Sequence, residues 1–387
     1  MKNRDYHLTK AQRDRYREIT RESAVAKKEA LKLDKAVRPV NVPKLDPSKL
    51  MPQQPSNGLR SLSLFSGGGG LDLGFERAGY THVASFDILD ICGETIKKNR
   101  PAWDVFSGKE SGDVSSLNAS KYFGEIDVVH GGPPCQPFSI AGQQAGEEDE
   151  RDMWGPFVRI VNEISPPAFV AENVPGILEN KFQEYVRTKI LKPLSEYHIL
   201  SFKLVAGSFG VPQKRARVFF VGLRSKKAFD RFKIPAPTHD FNRQLANSDA
   251  QQKLGFDDTE KCMGMREALG LKNISKDALC PTIRSAFTGK RNTTSILNSA
   301  AAAKNLSEIG IWGNGVAPDR ESASKFPTKD GTFRLSVQDC QIVQGFPEEW
   351  VFEGPVFKVL GQIGNSVAPS VAYQVALALA KSLDSNY

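Results

Sequence analysis

Two prolines directly ahead of a cysteine mark the first place in this sequence where chemistry is implied. The segment is Gly131-Gly132-Pro133-Pro134-Cys135-Gln136-Pro137-Phe138-Ser139. Prolines fix the backbone and bring no N–H, so the thiol sits on a stiff loop with bare carbonyls beside it. The apolar run Ile126-Asp127-Val128-Val129 before it reads as a buried strand. That puts the loop at a strand's carboxyl end, where open α/β sheets hold their ligands. A second reactive group is Glu172, which closes the apolar run Ala168-Phe169-Val170-Ala171. Partial burial there raises a carboxyl's pKa and favours its protonated form, although a strand-end acid paired with a lysine would look the same. Third is the pair Arg215 and Arg217 in Gln213-Lys214-Arg215-Ala216-Arg217. At a spacing of two, both arginines project from one face of a strand, an arrangement that a solvated surface pair shares.

A held thiol, a protonatable acid and paired cations suit one demanding reaction. Cytosine C5 is too weak a nucleophile to take a methyl group directly. A thiolate adding to C6 while an acid protonates N3 turns the ring into an enamine with charge gathered at C5. Cys135 needs thiolate character, which a nearby arginine promotes against a free pKa of about 8.5. Glu172 needs the opposite shift, and environment separates the two. Were the cytosine stacked in a duplex, it would have to leave the stack to be attacked.

A place for the methyl donor lies upstream. The strand-like Ser61-Leu62-Ser63-Leu64-Phe65 is followed by Ser66-Gly67-Gly68-Gly69-Gly70 and the helix start Leu71-Asp72-Leu73-Gly74-Phe75. Such a turn lets a ligand approach the backbone closely. The dinucleotide fingerprint GxGxxG fails, because its last position is Asp72 from Gly67 and Leu73 from Gly68. The P-loop pattern fails as well, since Phe75 follows Gly74 in place of a lysine. A glycine turn that binds no phosphate suits S-adenosylmethionine, with its ammonium near carbonyls and Asp72. Asp87 follows Gly67 by 20 positions, the placement of a ribose-binding carboxylate. Asp113 could accept from an adenine amino group. Taken singly, each acid also reads as a cap or turn residue.

The elements that must position these groups follow an alternating rhythm. Strand candidates at 61–65, 82–86, 126–130, 168–172 and 217–223 are separated by helix-length segments, which predicts a doubly wound parallel sheet. Residues 225–333 break the rhythm and hold 17 Lys/Arg against 12 Asp/Glu. Val371, Val375, Ala378, Leu379 and Leu383 mark a helix that starts at Pro369 and returns to the core. Residues 10–37 read as a helix with Thr9 and Gln12 as a capping box, and five prolines between 39 and 55 as a stiff extended linker. This extension carries most of the net charge of +8: residues 1–57 hold 14 Lys/Arg against 7 Asp/Glu, or +7. The catalytic unit is expected to work without it. The 5 cysteines show no CxxC pair, which fits free thiols in a reducing cytosol and no zinc site. Neither a membrane span nor a signal-peptide core is evident.

In order and identity these motifs resemble those of the DNA cytosine-5 methyltransferases. The match runs unpermuted over about residues 60–380: Phe65-Ser66-Gly67-Gly68-Gly69-Gly70, Pro133-Pro134-Cys135-Gln136, Glu172-Asn173-Val174, Gln213-Lys214-Arg215-Ala216-Arg217, Arg334-Leu335-Ser336 through Gln344-Gly345-Phe346-Pro347, and Gly364-Asn365-Ser366-Val367. The resemblance implies a Rossmann-like α/β fold that uses S-adenosylmethionine, with a smaller target-recognition domain. Implied boundaries are 1–57 for the basic extension, 58–224 for the catalytic and cofactor-binding domain, 225–354 for the recognition domain and 355–387 for a return to the catalytic domain. Cys135 would be the nucleophile and Glu172 the N3 proton donor. Arg217 would contact the cytosine ring oxygen, Arg215 would support the loop, and Pro134 would offer its carbonyl to the amino group. Phe65, Gly67, Gly68, Gly69, Asp87, Asp113, Asn365 and Val367 would form the cofactor pocket. Gln136, Ser139 and Arg151 would touch DNA from a loop closing over the flipped base. Thr282 and Arg284 would do so from Pro281-Thr282-Ile283-Arg284, where Ile stands in the place that Leu commonly takes.

The implied partner is double-stranded DNA, with a restriction endonuclease acting independently on the same site, in a bacterial cytoplasm. No metal is implied. Two alternatives stay in view. One is a tRNA cytosine-5 methyltransferase, whose Cys-Phe-Thr signature is absent here. The other is a catalytically silent DNA-binding regulator. The DNA sequence recognised is not legible, because base contacts depend on loop geometry and DNA deformation.

Overall fold

The computed structural model describes residues 35–134, 152–241, 259–272, 276–284, 294–326 and 331–384, with isolated positions elsewhere. Its centre is a seven-stranded sheet in the order β3-β2-β1-β4-β5-β8-β6. The strands are β1 (Arg60–Leu64), β2 (Thr81–Asp87), β3 (Val105–Ser107), β4 (Val128–Gly131), β5 (Ala168–Asn173), β6 (His198–Val205) and β8 (Ala216–Leu223), with a two-residue β7 (Gln213–Lys214) between the last two in sequence. Every residue of β4 and β5 is buried, the signature of strands covered on both faces.

The α/β class stands, but the sheet is mixed. Strands β3, β2, β1, β4 and β5 run parallel, whereas β8 is antiparallel to both β5 and β6. The chain returns from Val205 to Ala216 through a short turn and β7. A parallel pairing would need a crossover of a dozen residues or more, so the short return forces the antiparallel pair. The edge strands β3 and β6 were not among the expected strands. Both are partly exposed, which blurs the apolar run that marks a central strand.

Helices cover both faces. On one side α1 (Gly70–Arg77) packs against the long terminal helix Pro369–Leu383. A Cβ at Gly74 would lie 2.5 Å from the Ala372 Cβ, so only glycine allows this approach. Within one core cluster Val371, Ala372, Val375 and Leu379 bury against Leu71 and Phe75. Beside α1 lies α2 (Asp90–Asn99), tied to it by Arg100, just past its end, and Glu76, while the other face carries α3 (Trp154–Ile164), whose Trp154, Phe157, Ile160 and Val161 fill a second core cluster. A third cluster joins Met265, Leu269, Ile283 and Ile311 to Leu335 and Cys340 of the α4 region (α4, Val337–Gln344) and to Leu360 and Ile363 of α5 (Val356–Asn365). The terminal helix is α6 (Pro369–Leu383). The apolar stretch Val356–Leu383 is long enough to cross a bilayer, but it is divided at Ser366 into α5 and α6, and both pack in protein cores.

The cores do not follow the expected boundaries. Ala228 and Phe232, just past residue 224, pack in the first cluster, as do Phe346 and Trp350. Leu360 and Ile363, beyond residue 354, pack in the third.

Residues 37–57 are not a free linker either. Val37 is non-helical and donates its N–H to Ser324 O, so the expected helix ends before it. The capping pair Thr9 and Gln12 lies outside the described residues. Arg38 donates to the carbonyls of Thr332 and Ala323 and stacks over Phe333. Asn41 bonds to Leu269 O and Asp339, and Lys44 and Leu45 both donate to Ala268 O. Leu45 then buries in the third cluster and Met51 in the first. Gln54 and Asn57 donate to Arg77 O and Gly79 O. The proline-rich segment therefore straps the small region to the catalytic unit. Proline stiffness predicted an extended path, and it was these distant partners that fixed the path onto the surface.

Fully burying side chains the size of Leu45 and Met51 stabilises by about 1.5–3 kcal/mol each. We therefore expect removal of residues 1–34 to leave the melting temperature within about 2 °C, and removal of residues 1–57 to lower it by roughly 10 °C. Differential scanning fluorimetry of the two truncations checks this, and equal melting temperatures would refute it.

Candidate active site

Parallel register puts the reactive loops side by side. Leu64, the last residue of β1, pairs with Gly131, the last residue of β4, and Gly131 pairs with Ala171 of β5. The chain crosses from β2 and β3 on one side of β1 to β4 on the other, so the β1 and β4 ends form the switch point of the sheet. From there the glycine loop leaves β1, Gly132-Pro133-Pro134 leaves β4, and Glu172 and Asn173 end β5. Cys135, Gln136, Ser139 and Arg151 lie outside the described residues. Pro134, immediately before the cysteine, is half-buried.

Glu172 faces this turn. A Cβ at Gly132 would come within 3.1 Å of Glu172 Oε2, so the backbone beside the cysteine runs against the carboxyl. Asn173, fully buried, donates its side-chain amide to Pro133 O at 3.2 Å and fixes the Pro-Pro turn. Glu172 sits opposite Phe219 in the antiparallel ladder, two residues from Arg217 on the same face. Its Oε1 lies 2.6 Å from Arg217 Nε. Burial pushes the Glu172 pKa up, while Arg217 and Arg215 pull it back, and the net direction is upward. The arginines divide their work. Arg217, on β8, pairs with the acid. Arg215 lies between β7 and β8, is 1% exposed, and donates to Gly364 O at 3.0 Å. They are therefore not two equivalent positions on one strand face, because the break between β7 and β8 turns Arg215 toward the 364–367 segment.

The glycine loop is organised from outside. Gly67 N–H donates to Asp87 Oδ2, and Leu89 N–H donates to Oδ1, each at 2.8 Å. Burial raises the Asp87 pKa, and these N–H groups oppose it. Gly67 and Gly69 have φ of 56° and 81°, and Phe65, which is not a glycine, has φ of 55°. A Cβ at Gly68 would meet Ser366 Oγ at 2.7 Å, and one at Gly70 would meet Val367 O at 2.2 Å. One at Gly67 would meet only Phe65 O, at 3.9 Å, leaving that side of the turn open. Val367 thus touches the loop through its backbone, and Asn365 beside it is exposed. Gly112 packs against the Asp87 carbonyl, which brings Asp113 next to Asp87. One Asp113 oxygen accepts the Ser115 N–H. Past Asp87, Ile88 and Leu89 are 48% and 40% exposed, an apolar shelf beside a carboxylate. An open glycine turn, a shelf for an aromatic base and a carboxylate for hydroxyls fit S-adenosylmethionine.

The residues expected to meet DNA from the 281–284 segment reach the same neighbourhood. Strand Cys280–Pro281 pairs with β7, and Thr282 Oγ1 donates to Lys214 O at 2.9 Å. Ile283 N–H donates to Gln213 Oε1, and Arg284 N–H to Ile296 O. Gln213 also bonds to Gln344, whose amide donates to Ser366 O. Ile283, between Thr282 and Arg284, is therefore tied through buried Gln213 and Gln344 to the segment behind the glycine loop.

Several buried polar groups were not expected to be buried. Asp72 was expected near a ligand's ammonium. It is instead 1% exposed, accepts from Ser85 Oγ at 2.9 Å, and also bonds to Ser63. His130 is fully buried, stacks on Phe75, and burial lowers its pKa well below the ordinary value. Trp350 reaches Gly68 across 282 residues. A polar residue inside an apolar strand was the available signal for His130, and an acid between Leu71 and Leu73 in the first turn of α1 for Asp72. Trp350 left none.

Among the described residues no group of three His, Cys, Asp or Glu is placed to hold a metal. Cys92, Cys262, Cys280 and Cys340 are buried free thiols.

The family model for C-5 cytosine-specific DNA methylase matches residues 59–381. Over 330 residues the chain is 33% identical to Type II methyltransferase M.NgoMIV of Neisseria gonorrhoeae, covering 84% of this chain and 97% of that one. Type II methyltransferase M.Eco47II of Escherichia coli is 31% identical, with 84% and 79% covered. Among solved structures, Entamoeba histolytica methyltransferase EhMeth superposes with a TM-score of 0.55 at 16% identity, covering 86% of this chain and 100% of that one, a likeness of fold.

Burial pushes the Asp72 pKa up to about 6 from an ordinary 3.8. Below about pH 4 folded and unfolded chains both hold this proton. Between about pH 4 and 6 the unfolded chain loses it first, so wild-type stability falls as pH rises, by roughly 2–3 kcal/mol in all. Asp72→Asn lacks that slope. Thermal melts should show the variant more stable than wild type at about pH 7.5, with the gap closing toward pH 4. A gap independent of pH would refute this role.

Proposed function

Because the chain belongs to the C-5 cytosine-specific DNA methylase family, and so methylates cytosine in DNA at C5 from S-adenosylmethionine, we propose that it does so through a covalent Cys135 adduct on a flipped-out base. The observation that carries this reading is Glu172, a buried carboxyl with a raised pKa that lies against the backbone leading to Cys135 and is paired with Arg217. A carboxyl so placed can hold a proton for the ring nitrogen while the thiolate attacks.

The residues then divide the reaction among them. Cys135 Sγ bonds to C6 as Glu172 gives its proton to N3, leaving an enamine with its electron pair at C5. S-adenosylmethionine, when bound, supplies the methyl group that C5 accepts. Loss of the C5 proton to a base then restores the ring double bond and breaks the Sγ–C6 bond, and the N3 proton returns to Glu172. Pro134 offers its carbonyl to the cytosine amino group, Arg217 orients Glu172 and the ring oxygen, and Arg215 braces the 364–367 segment through Gly364 O. Phe65, Gly67, Gly68, Gly69, Asp87, Asp113, Asn365 and Val367 hold the cofactor. Gln136, Ser139, Arg151, Thr282 and Arg284 meet the DNA.

The Type II relatives support a further reading, in which the chain protects one duplex sequence from a restriction endonuclease that acts separately on the same site, in a bacterial cytoplasm. They also disfavour tRNA as the substrate.

Cys135→Ser is expected to abolish methyl transfer while retaining duplex binding, and Glu172→Gln to lower kcat by about 10²–10⁴. A duplex with 5-fluorocytosine at the target should trap wild type as a covalent adduct in the presence of S-adenosylmethionine, because fluorine cannot leave as a proton does. Wild-type turnover by Cys135→Ser, or no adduct with wild type, would overturn the mechanism. Bisulfite sequencing of DNA from expressing cells identifies the modified cytosine.

A further inference from the structure

The glycine loop has almost no conformational preference of its own. With glycines at four successive positions, 67 to 70, each peptide can rotate at little steric cost, exchanging a carbonyl for an N–H toward the ligand. Its shape must be imposed by partners. Two of its peptides are tied. Gly67 N–H donates to Asp87 Oδ2 at 2.8 Å. In the peptide joining Gly68 to Gly69, the N–H donates to Ser66 O at 2.9 Å and the carbonyl accepts the Trp350 indole N–H at 3.1 Å. The peptide between them, joining Gly67 to Gly68, has neither its carbonyl nor its N–H engaged among the described residues. It also lies on the open side of the turn, where a Cβ at Gly67 would meet only Phe65 O.

Trp350 is built to hold its end of this arrangement. It is 2% exposed. Its ring lies under the guanidinium of Arg100, which makes a two-pronged bond to Glu76 on α1, the helix that grows out of the loop. Gln341 donates to Trp350 O at 2.8 Å, and Asn99 on α2 pins Val351 through both its N–H and its carbonyl. A Cβ at Gly69 would fall 2.6 Å from the indole Cζ2 on one side and 3.6 Å from Ile96 Cγ1 on the other.

We propose that Trp350 is a positioning residue for the methyl donor: its indole N–H, by holding the Gly68 carbonyl, turns the Gly67–Gly68 peptide toward the cofactor. This rests on the reading that the Gly67–Gly70 turn holds S-adenosylmethionine. The role is one of binding. Once the donor is seated, the reacting atoms sit on other loops.

Trp350→Phe keeps an aromatic ring in the packed site and removes the donor together with part of the indole that borders Gly69. The probe is S-adenosylhomocysteine, with Kd measured by calorimetry on the full-length protein. We expect the variant's Kd and its KM for S-adenosylmethionine to rise about ten-fold, with kcat at saturating donor within about two-fold and duplex affinity unchanged. Ile96→Val removes the Cδ1 methyl behind the Cγ1 that borders Gly69 and leaves the hydrogen bond intact, so it reports loosened packing alone, and its Kd should match wild type. An unchanged Kd in Trp350→Phe, or an equal weakening in Ile96→Val, overturns the inference. Failure of wild type itself to bind S-adenosylhomocysteine would instead overturn the cofactor reading on which it rests.

Discussion

Leu64, Gly131 and Ala171 stand side by side across three parallel strands, and the glycine loop, the Pro-Pro turn and Glu172 all leave that row. Parallel neighbours end at the same edge of a sheet, so loops far apart in sequence emerge within reach of one another. Moving one strand by a single residue would turn its side chains to the opposite face. Glu172 would then leave the edge shared with the Pro-Pro turn. The close approach of Gly131 to Leu64 O, 2.5 Å from a Cβ built there, shows how little room the register has to slip.

On this frame the antiparallel strand β8 contributes the electrostatics. An isolated carboxylate at the buried end of β5 would be strongly disfavoured. Pairing across the ladder brings Arg217 to 2.6 Å and leaves the acid poised between two pulls, burial raising its pKa and the guanidinium lowering it. A buried pair of this kind adds little net stability. In the proposed mechanism, its value lies in setting which protonation state the acid adopts when a ring nitrogen arrives. The parallel half of the sheet thus supplies position, and the antiparallel half supplies charge.

The small region joins this centre by polar contacts as much as by its own apolar cluster. Gln213 accepts from Ile283, bonds to Gln344, and Gln344 reaches Ser366 beside Gly68. Buried amides with satisfied partners specify one arrangement, because any other leaves a donor or acceptor without a partner away from water. The 37–57 strap adds a second tie, burying Leu45 in the third cluster and Met51 in the first.

Much of the centre was legible in sequence, since its signals are local. Apolar runs marked β1, β2, β4, β5 and β8 within a residue or two, Pro369 marked the start of the last helix, and the glycine run and Pro-Pro-Cys carried their chemistry in adjacent positions. The identity and order of the reactive groups belong to the sequence alone. Tertiary structure decided the antiparallel turn of β8, the parting of Arg215 from Arg217, the inward course of Asp72, the path of the strap and the reach of Trp350 to Gly68. Each of these depends on partners that neither a period nor a spacing announces. Burial and hydrogen bonding select such contacts in three dimensions, and at a sequence separation of 282 there is no trace of the one between Trp350 and Gly68.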